Sequence, residues 1–531
     1  MVLHGKLNHT KIYYYGLLLL AISLPLSIYF TSVAEIILLV NWIVEGNLMR
    51  KLRKLKSRPS VLLIMGLYFL HIIGAFHTDA GNMDYLLQDL KIKLPLLLLP
   101  LIIGTSEPLN AKQLKAVLLF FCLATLSSTL ISFAIFLGII PYEYYDFREI
   151  SIFISHIRLA LMVNLSVFIL LYYIFHPKVE NRFGTMLSIT GILAIAWLIF
   201  FLVLLKSLTG LIILGILVLV LGWIYSGKIE DVAPRFIIRT LIVVVPLLVA
   251  SFLTRSIGRF YYREKVDFDH LKAFTPAGNP YFHDTTRVAA ENGYYVWLYI
   301  SEKELRESWN RISEFPYDSL DRKGQRMKYT LIRYLTSKGL RKDADGVMEL
   351  SSEDVKAIEN GLANHIFLNK YSLYPRVYEV IWEIDGYLRG RDPSGHSVAQ
   401  RIAYLEAAKS IFLNDPLFGV GTGDVQSSFN EYYERSGSKL DMDYRRRAHN
   451  QYVTFLITFG IVGLIFSLIF LFGPIFLEKK WNSYLFMVFF FIAFLSMLNE
   501  DTLETQTGVS FFIYFYSLFL FGRKNSKEEG S

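Results

Sequence analysis

The sequence contains a single cysteine, Cys122, which lies within an apolar run. One cysteine excludes a disulfide framework within the chain, even for a segment that is exported. The histidines and the cysteine also form no cluster with zinc-ligand spacing. The sequence therefore predicts no disulfide-held fold and no structural zinc site.

Apolar residues are abundant instead, at 53% of the 531 residues, and they occur in long runs. A membrane-spanning helix needs about 20 mostly apolar residues. Such runs predict an all-α polytopic membrane protein with about twelve transmembrane helices, of which the first serves as an uncleaved insertion signal. The predicted spans are 12–30, 32–46, 60–77, 92–106, 114–138, 153–175, 184–205, 207–225, 237–254, 450–473, 482–498 and 508–522.

The basic residues between these runs predict the orientation of the chain. The strongest signal is the run of six lysines and arginines within residues 50–58, which the positive-inside rule places in the cytoplasm. Alternation of the twelve spans then places Lys112, Lys228 and Lys479 in the cytoplasm as well. The net charge of +8 is explained by these loops, so we do not expect a nucleic-acid partner.

This topology divides the chain into three regions. Residues 1–254 form an N-terminal membrane region of about nine spans, and residues 449–531 form a C-terminal membrane region of about three spans with a cytoplasmic tail. Residues 255–448, between the ninth and tenth spans, form a large periplasmic segment of ordinary domain size. Apolar residues at spacings of three and four in 396–412 predict that this segment is mainly helical.

Ionisable residues at five places are predicted to lie at one depth, near the outer ends of the spans. They are Lys91 and Lys93; His156 and Arg158; Lys206; Arg445, Arg446, Arg447 and His449; and Glu500, Asp501 and Glu504. Such side chains can anchor a span at the head groups. Positive charge outside, however, opposes the orientation rule, which favours a functional cluster. A cationic site at this depth suits a lipid-linked diphosphate.

His449 stands beside three arginines at the mouth of a predicted span, and a neutral imidazole there can accept a proton. Glu500 with Asp501 can hold a divalent ion, but the arginine-rich surroundings indicate that side chains neutralise the ligand, so no metal is expected. The glycine-rich stretch 419–423 lacks the strand–turn–helix context of a nucleotide loop. It predicts a tight connection between two helices, with Asp424 capping the second.

Four stretches of the C-terminal half resemble the O-antigen ligase and O-antigen polymerase superfamily of bacterial envelope glycosyltransferases. They are RIAYLEAAK at 401–409, PLFGVGTGD at 416–424, AHNQYVTFL at 448–456 and FGIVGL at 459–464. Weaker similarity covers 91–95, 155–158 and 206–210, whereas residues 255–394 match nothing in the family.

The resemblance implies a metal-independent transferase without a cofactor, in the bacterial inner membrane, with its active face toward the periplasm. Its donor would be an undecaprenyl-diphosphate-linked glycan, and its acceptor a hydroxyl of the lipid A core of lipopolysaccharide or another hydroxyl. By the family motif, His449 would be the catalytic base and Arg401 would bind the donor diphosphate.

Six further residues are assigned to the substrate. Lys206 stands where family members often carry arginine, and a lysine cannot form the bidentate fork. Arg158, Lys91 and Lys93 are added because of their predicted depth, and Arg447 and Asn450 because they flank His449.

Alternatives within the superfamily are an O-antigen polymerase and a protein O-oligosaccharyltransferase. A hypothesis from another functional class is a lipid-linked glycan transporter. A transporter predicts charges near the bilayer midplane and matching broken helices in two halves, whereas the charges here lie near one face.

Overall fold

The computed structural model describes residues 8–144, 147–175, 183–369 and 372–523. The predicted cytoplasmic tail, beyond residue 523, lies outside these ranges. Before residue 230 the regular elements of the described ranges are helices, and Leu109 forms an isolated bridge with Arg523. Its α-helices are α1 (His9–Ser23), α2 (Ile28–Val44), α3 (Leu48–Ser57), α4 (Pro59–Ala75), α5 (Met83–Lys93), α6 (Pro95–Thr105), α7 (Ala111–Phe136), α8 (His156–Phe175), α9 (Thr185–Leu204) and α10 (Leu208–Ser226).

The middle of the chain contains shorter helices and one small hairpin. Its elements are α11 (Val232–Tyr261), β1 (Ala290–Glu291), β2 (Tyr294–Tyr295), α12 (Glu302–Ile312), α13 (Met327–Ser337), α14 (Ala344–Met348), α15 (Ser352–Glu359) and α16 (Tyr374–Leu388). The two strands pair antiparallel, with Ala290 opposite Tyr295. The C-terminal part consists of α17 (Ser397–Asn414), α18 (Val425–Arg435), α19 (Gln451–Glu478), α20 (Tyr484–Met497) and α21 (Gln506–Phe521).

Six helices among the described residues are long and apolar enough to cross a membrane, namely α7, α8, α9, α10, α11 and α19. Helices α2 and α3, bent by 111°, make a seventh candidate if they form one span. The all-α polytopic fold is therefore confirmed, with six or seven candidate spans. The predicted number of about twelve is higher because several predicted spans correspond to helices of 11–17 residues, below the usual spanning length. The predicted span 92–106, for example, is interrupted at Pro95, which begins α6.

The chain forms two compact units, residues 1–230 with 400–531 and residues 231–399. In the first unit α21 is buried along its whole length, among phenylalanines of α20 such as Phe489. The second unit has its own core, which includes the fully buried Trp309, Tyr317 and Tyr334. The predicted borders at 254 and 448 and the periplasmic location of the segment between them stay predictions.

Helix α19 is broken at Gly460, whose φ of +64° is not helical. The glycine-rich loop before α18 fills the break. The N–H of Val420 donates to the carbonyl of Ile457, and the N–H of Ile461 donates to the carbonyl of Pro416. A break in a membrane helix leaves backbone groups unpaired, and the loop pairs several of them.

The loop is thus a tight connection between two helices, as the sequence indicates. Asp424 precedes α18, but its carboxylate does not cap that helix. It accepts instead from the N–H of Asp79 and the amide of Asn82. The predicted capping role is wrong, because partners more than 340 residues away in sequence occupy the side chain.

Candidate functional site

His449 lies directly before the residue that caps α19, in a left-handed backbone conformation with φ of +48°. This region is uncommon for a residue other than glycine and is frequent at functional sites. The imidazole packs against the ring of Tyr404 at a centroid distance of 5.5 Å, and its side chain is 27% exposed. Its Nδ1 atom is buried, so the accessible edge of the ring is the one that carries Nε2.

Two buried carboxylates lie behind the imidazole, in the connection between α20 and α21. Nδ1 of His449 is 3.6 Å from Oδ1 of Asp501 and 4.0 Å from Oε2 of Glu500. Both distances exceed hydrogen-bond length, so the interaction is electrostatic. Burial raises the pKa of Glu500, although the charges of Arg401 and His449 oppose that shift. A carboxylate at Nδ1 stabilises the imidazolium that forms when Nε2 accepts a proton.

Arg401, on α17, lies beside the same carboxylates. Its guanidinium donates to Oε1 of Glu500 at 2.9 Å and to Oδ1 of Asn499 at 3.0 Å. Asn499 in turn donates to Oγ1 of Thr209 at 2.7 Å, on the first turn of α10. The structure therefore brings Arg401 and His449 to opposite oxygens of Glu500, as expected for residues of one site.

Arg447 and Lys93 converge on a third carboxylate, that of Glu504, which is buried. The guanidinium of Arg447 and the ammonium of Lys93 lie 3.0 Å and 2.7 Å from the same Oε2 atom. Burial alone would raise the pKa of Glu504, but these cations lower it well below its usual range. Lys93 also contacts Asp89, and Arg447 lies 4.0 Å from Asp501.

These contacts form one continuous network from Lys93 to Arg401. It contains three cations and four carboxylates, so its net charge is −1 when His449 is neutral: Lys93, Arg401 and Arg447 against Asp89, Glu500, Asp501 and Glu504. The expected cationic cluster thus contains one carboxylate more than it has cations. All three of its cations are paired with carboxylates.

The other sequence-predicted residues lie differently. Lys91 is exposed, and Lys206 is exposed in the turn between α9 and α10 with φ of +51°. Within the ranges that the structure describes, neither ammonium joins the network. Arg158 donates to Oγ of Ser155 at 2.8 Å, its Nε is buried without a hydrogen bond, and its charge acts on the Glu500 carboxylate.

Asn450 is the N-cap of α19. Its side-chain oxygen accepts from the N–H groups of Tyr452 and Val453, at 3.0 Å and 3.1 Å. Its amide donates to the carbonyl of Leu498 at 2.8 Å. Because both ends of the side chain are engaged, a structural role explains Asn450 without a substrate.

A cavity of about 630 Å³ opens at His449. It is lined by Tyr142, Arg148, Glu149, Ser151, Ile152, Ser155, His156, Gln400, Tyr404, Tyr444, Arg446 and His449. Arg446 belongs to the predicted cluster of ionisable residues but was not among the residues assigned to the substrate, and Tyr404 was not predicted. A signal for Tyr404 was present, because it follows Arg401 by three residues and helical spacing places both on one side of α17.

His449, Glu500 and Asp501 could also hold a metal ion. Each offers one ligand atom, and the three atoms lie within 4.8 Å of one another. Glu500 already receives the guanidinium of Arg401, however, and Arg447 approaches Asp501. Glu500 and Asp501 are the two carboxylates that the sequence offers as possible ligands of a divalent ion, and the structure adds His449 to them.

Comparison with known proteins identifies the region that contains part of this site; Lys93, Glu500, Asp501 and Glu504 lie outside it. The family description "O-Antigen ligase" (Wzy_C) matches residues 361–468, which include Arg401, the loop at 419–423, His449 and the break at Gly460. The match also includes the end of the segment 255–394, which the sequence analysis could not relate to the family. No curated protein matches the chain. The predicted resemblance is confirmed, and the chain is a multi-pass membrane protein. Residues 361–468 are an O-antigen ligase domain, of a family of ligase- and polymerase-type membrane glycosyltransferases.

Proposed function

We propose that this protein transfers a glycan from an undecaprenyl-diphosphate donor to a hydroxyl of the lipid A core, at the periplasmic face of the bacterial inner membrane. The observation that carries the proposal is the position of His449. Its ring lines a cavity, while its buried Nδ1 faces two carboxylates. A histidine held in this way can take a proton at Nε2 and remain stabilised as an imidazolium.

In the proposed reaction Nε2 of His449 takes the proton of the acceptor hydroxyl. The hydroxyl oxygen forms a bond to the anomeric carbon of the glycan, and the bond from that carbon to the diphosphate oxygen breaks. The electron pair of that bond leaves with undecaprenyl diphosphate. Cations near the leaving oxygen stabilise the charge that develops there, more in the transition state than in the bound donor.

Three arginines are placed to meet the diphosphate. Arg446 lines the cavity, and among the described residues its guanidinium has no ion pair. Arg158 has a buried Nε without a hydrogen bond, and Arg401 is partly exposed beside Glu500. Arginine suits this task because its planar fork binds a phosphate at two points.

The proposal includes independence from a metal ion. Arg401 and Arg447 already neutralise much of the charge on Glu500 and Asp501. Purified protein treated with EDTA should therefore retain its transfer rate. Loss of transfer with EDTA, and its recovery with Mg²⁺ or Mn²⁺, would instead assign His449, Glu500 and Asp501 to a metal site.

The main experiment is His449→Ala in a strain that lacks the chromosomal copy. General-base catalysis is typically worth about 10²–10⁴ in rate, so attachment of long glycan to the lipid A core should fall by that order. The matched control is His270→Ala, because the His270 side chain is 83% exposed and lies in the other compact unit. The measurement is the ratio of glycan on lipid A core to glycan on the lipid carrier.

The outcomes separate the proposal from its alternatives. A strain that lacks this protein should accumulate the complete lipid-linked glycan. Accumulation of single repeat units would favour the polymerase, and loss of glycan from a protein would favour the O-oligosaccharyltransferase. Normal transfer by the His449→Ala variant, at normal abundance in the membrane, would exclude His449 as the base.

A further inference from the structure

The compact unit of residues 231–399 contains a second cavity, of about 450 Å³. Four parts of the unit form its walls: the end of α11, the hairpin β1–β2 with its flanking residues, α13 and α16. The volume lies within the range of about 300–1,000 Å³ that is usual for small-molecule sites. The cavity is separate from the His449 site. Its residues of α16, with Arg389 and Arg391, lie within the family match at 361–468, whereas the other walls precede that match.

Arginine dominates the charge of this cavity. Five arginines line it against two carboxylates, so the lining carries a net charge of +3: Arg263, Arg287, Arg333, Arg389 and Arg391 against Glu291 and Asp385. Arg333 and Arg389 are paired with those two carboxylates, at 2.6 Å and 2.8 Å. Arg287 is paired with Asp284, outside the lining, so the charges of Arg263 and Arg391 are left for an anionic ligand.

The sources of that charge can be named. Arg263 donates to the carbonyls of Phe260 and Tyr262, which hold its guanidinium without neutralising it. Arg391 has no ion pair among the residues that the structure describes. Arg287 lies 3.2 Å from Asp284, a carboxylate that is not part of the lining.

Two of the arginines are held in place by tryptophans. The guanidinium of Arg391 lies over the ring of Trp382 at 5.1 Å, and that of Arg287 lies over the ring of Trp297 at 5.2 Å. Stacking restricts a long flexible side chain while its N–H groups stay available at the edge of the guanidinium plane. A ligand oxyanion then binds at a smaller cost in side-chain entropy.

The lining also offers acceptors and ring surfaces. Asp385 carries oxygens that can accept from hydroxyl groups, and the exposed Tyr329 supplies aromatic surface. The oxygens of the buried Glu291 already accept from three side chains, those of Arg333, Asn364 and Tyr378. Donors, acceptors and rings in one cavity suit a ligand with many hydroxyls, an apolar ring face and a negative charge.

We propose that the cavity of residues 231–399 binds an anionic saccharide, that is, a sugar that carries a carboxylate or phosphate group. Arg391 binds the oxyanion, together with Arg287, whose Nε stays on Asp284, and Asp385 accepts from the sugar hydroxyls. The choice of a saccharide rests on the proposed function, in which both substrates are glycans. The site then selects a charged sugar of the donor or acceptor.

The test uses the full-length protein in detergent and measures binding by microscale thermophoresis at physiological ionic strength. The probes are trigalacturonate, neutral maltotriose and inorganic phosphate. Because charge-assisted hydrogen bonds account for the preference, trigalacturonate should bind at least about tenfold tighter than maltotriose. Arg391→Gln and Arg287→Gln should each weaken trigalacturonate binding by about tenfold, since each removes one charged guanidinium and leaves a shorter, neutral polar side chain.

The matched control is Arg311→Gln, which removes the same charge from an exposed position on α12 away from the cavity. It should change the affinity by less than about twofold, as is usual for a distant surface charge. Equal binding of maltotriose, or unchanged binding by both cavity variants, would overturn the proposal. Displacement of trigalacturonate by an equal concentration of phosphate would reduce the site to an anion site without sugar selectivity and would overturn it as well.

The same assay separates this inference from the proposed function. His449→Ala lies in the other compact unit and should bind trigalacturonate as the unmodified protein does. If His449→Ala transfers glycan normally but the cavity variants lose binding, the catalytic proposal fails and the binding site stands. If the cavity variants bind trigalacturonate normally while His449→Ala abolishes transfer, the binding site fails and the catalytic proposal stands.

Discussion

Replacing Asp501 with asparagine tests the electrostatic support of His449 directly. The substitution keeps the size of the side chain and removes the charge that lies 3.6 Å from Nδ1. Two unit charges at 4 Å attract by about 4 kcal/mol at the effective dielectric of a protein. Glu500, at 4.0 Å from the same nitrogen, retains part of the effect. We therefore expect the barrier to rise by about 2–4 kcal/mol, a loss of about 30- to 1,000-fold in turnover.

The assay is the turnover of lipid-linked glycan by the purified protein at saturating donor and acceptor. The loss should be in kcat, with KM changed little, because the imidazolium develops only during the reaction. Asp345→Asn is the control, since Asp345 is exposed on α14 in the other compact unit. Turnover within about threefold of the unmodified protein, at equal abundance, would refute the role of the carboxylate, because that ratio corresponds to less than about 1 kcal/mol.

Two further predictions concern stability. A Cβ at position 460 would lie 2.2 Å from the backbone of Leu417, and the φ of +64° at Gly460 disfavours any L side chain. Gly460→Ala should therefore lower the free energy of unfolding by about 2–5 kcal/mol. Gly215→Ala, where a Cβ meets nothing within 4 Å, should leave the melting temperature in detergent unchanged or raised, and equal melting of the two variants would contradict this account. Glu504→Gln removes the buried negative charge that Lys93 and Arg447 share. It should lower the free energy of unfolding by about 3–5 kcal/mol. Glu307→Gln, at an exposed position, is its control, and equal melting of these two would show that the ion network adds no stability.

Helices α19, α20 and α21 could be predicted from their long apolar runs, and α17 from its apolar residues at spacings of three and four, whereas α5, which ends at Lys93, has no such run. The common depth of the charges followed from the same runs, and the structure does join Lys93, Glu504 and Arg447. Their pairing could not be predicted, because Lys93 and Glu504 are separated by 411 positions and depth does not specify the direction of a side chain. For the same reason the surplus of buried carboxylate could not be deduced.

Local spacing contained information that depth did not. Lys91 and Lys93 differ by two positions on α5, and residues two apart do not face the same side of a helix. One of them is buried in the network and the other is exposed, as this spacing requires. Likewise, an asparagine directly before a helix is a typical N-cap, which accounts for Asn450 by chain position alone.

The charge balance of the network indicates which cations can contact the proposed donor diphosphate and which cannot. Lys93 and Arg447 each lie within 3.0 Å of Glu504, so a diphosphate could bind them only by displacing a buried carboxylate. Leaving that carboxylate unpaired is costly, which makes both cations poor candidates for direct donor contact. Arg446 faces the cavity without such a partner among the described residues, and Arg401 binds Glu500 while partly exposed. The proposed donor is therefore best bound from the cavity side by these two arginines. The buried pairs at Glu504 instead hold the connection between α20 and α21, which also carries Glu500 and Asp501, the two carboxylates beside His449.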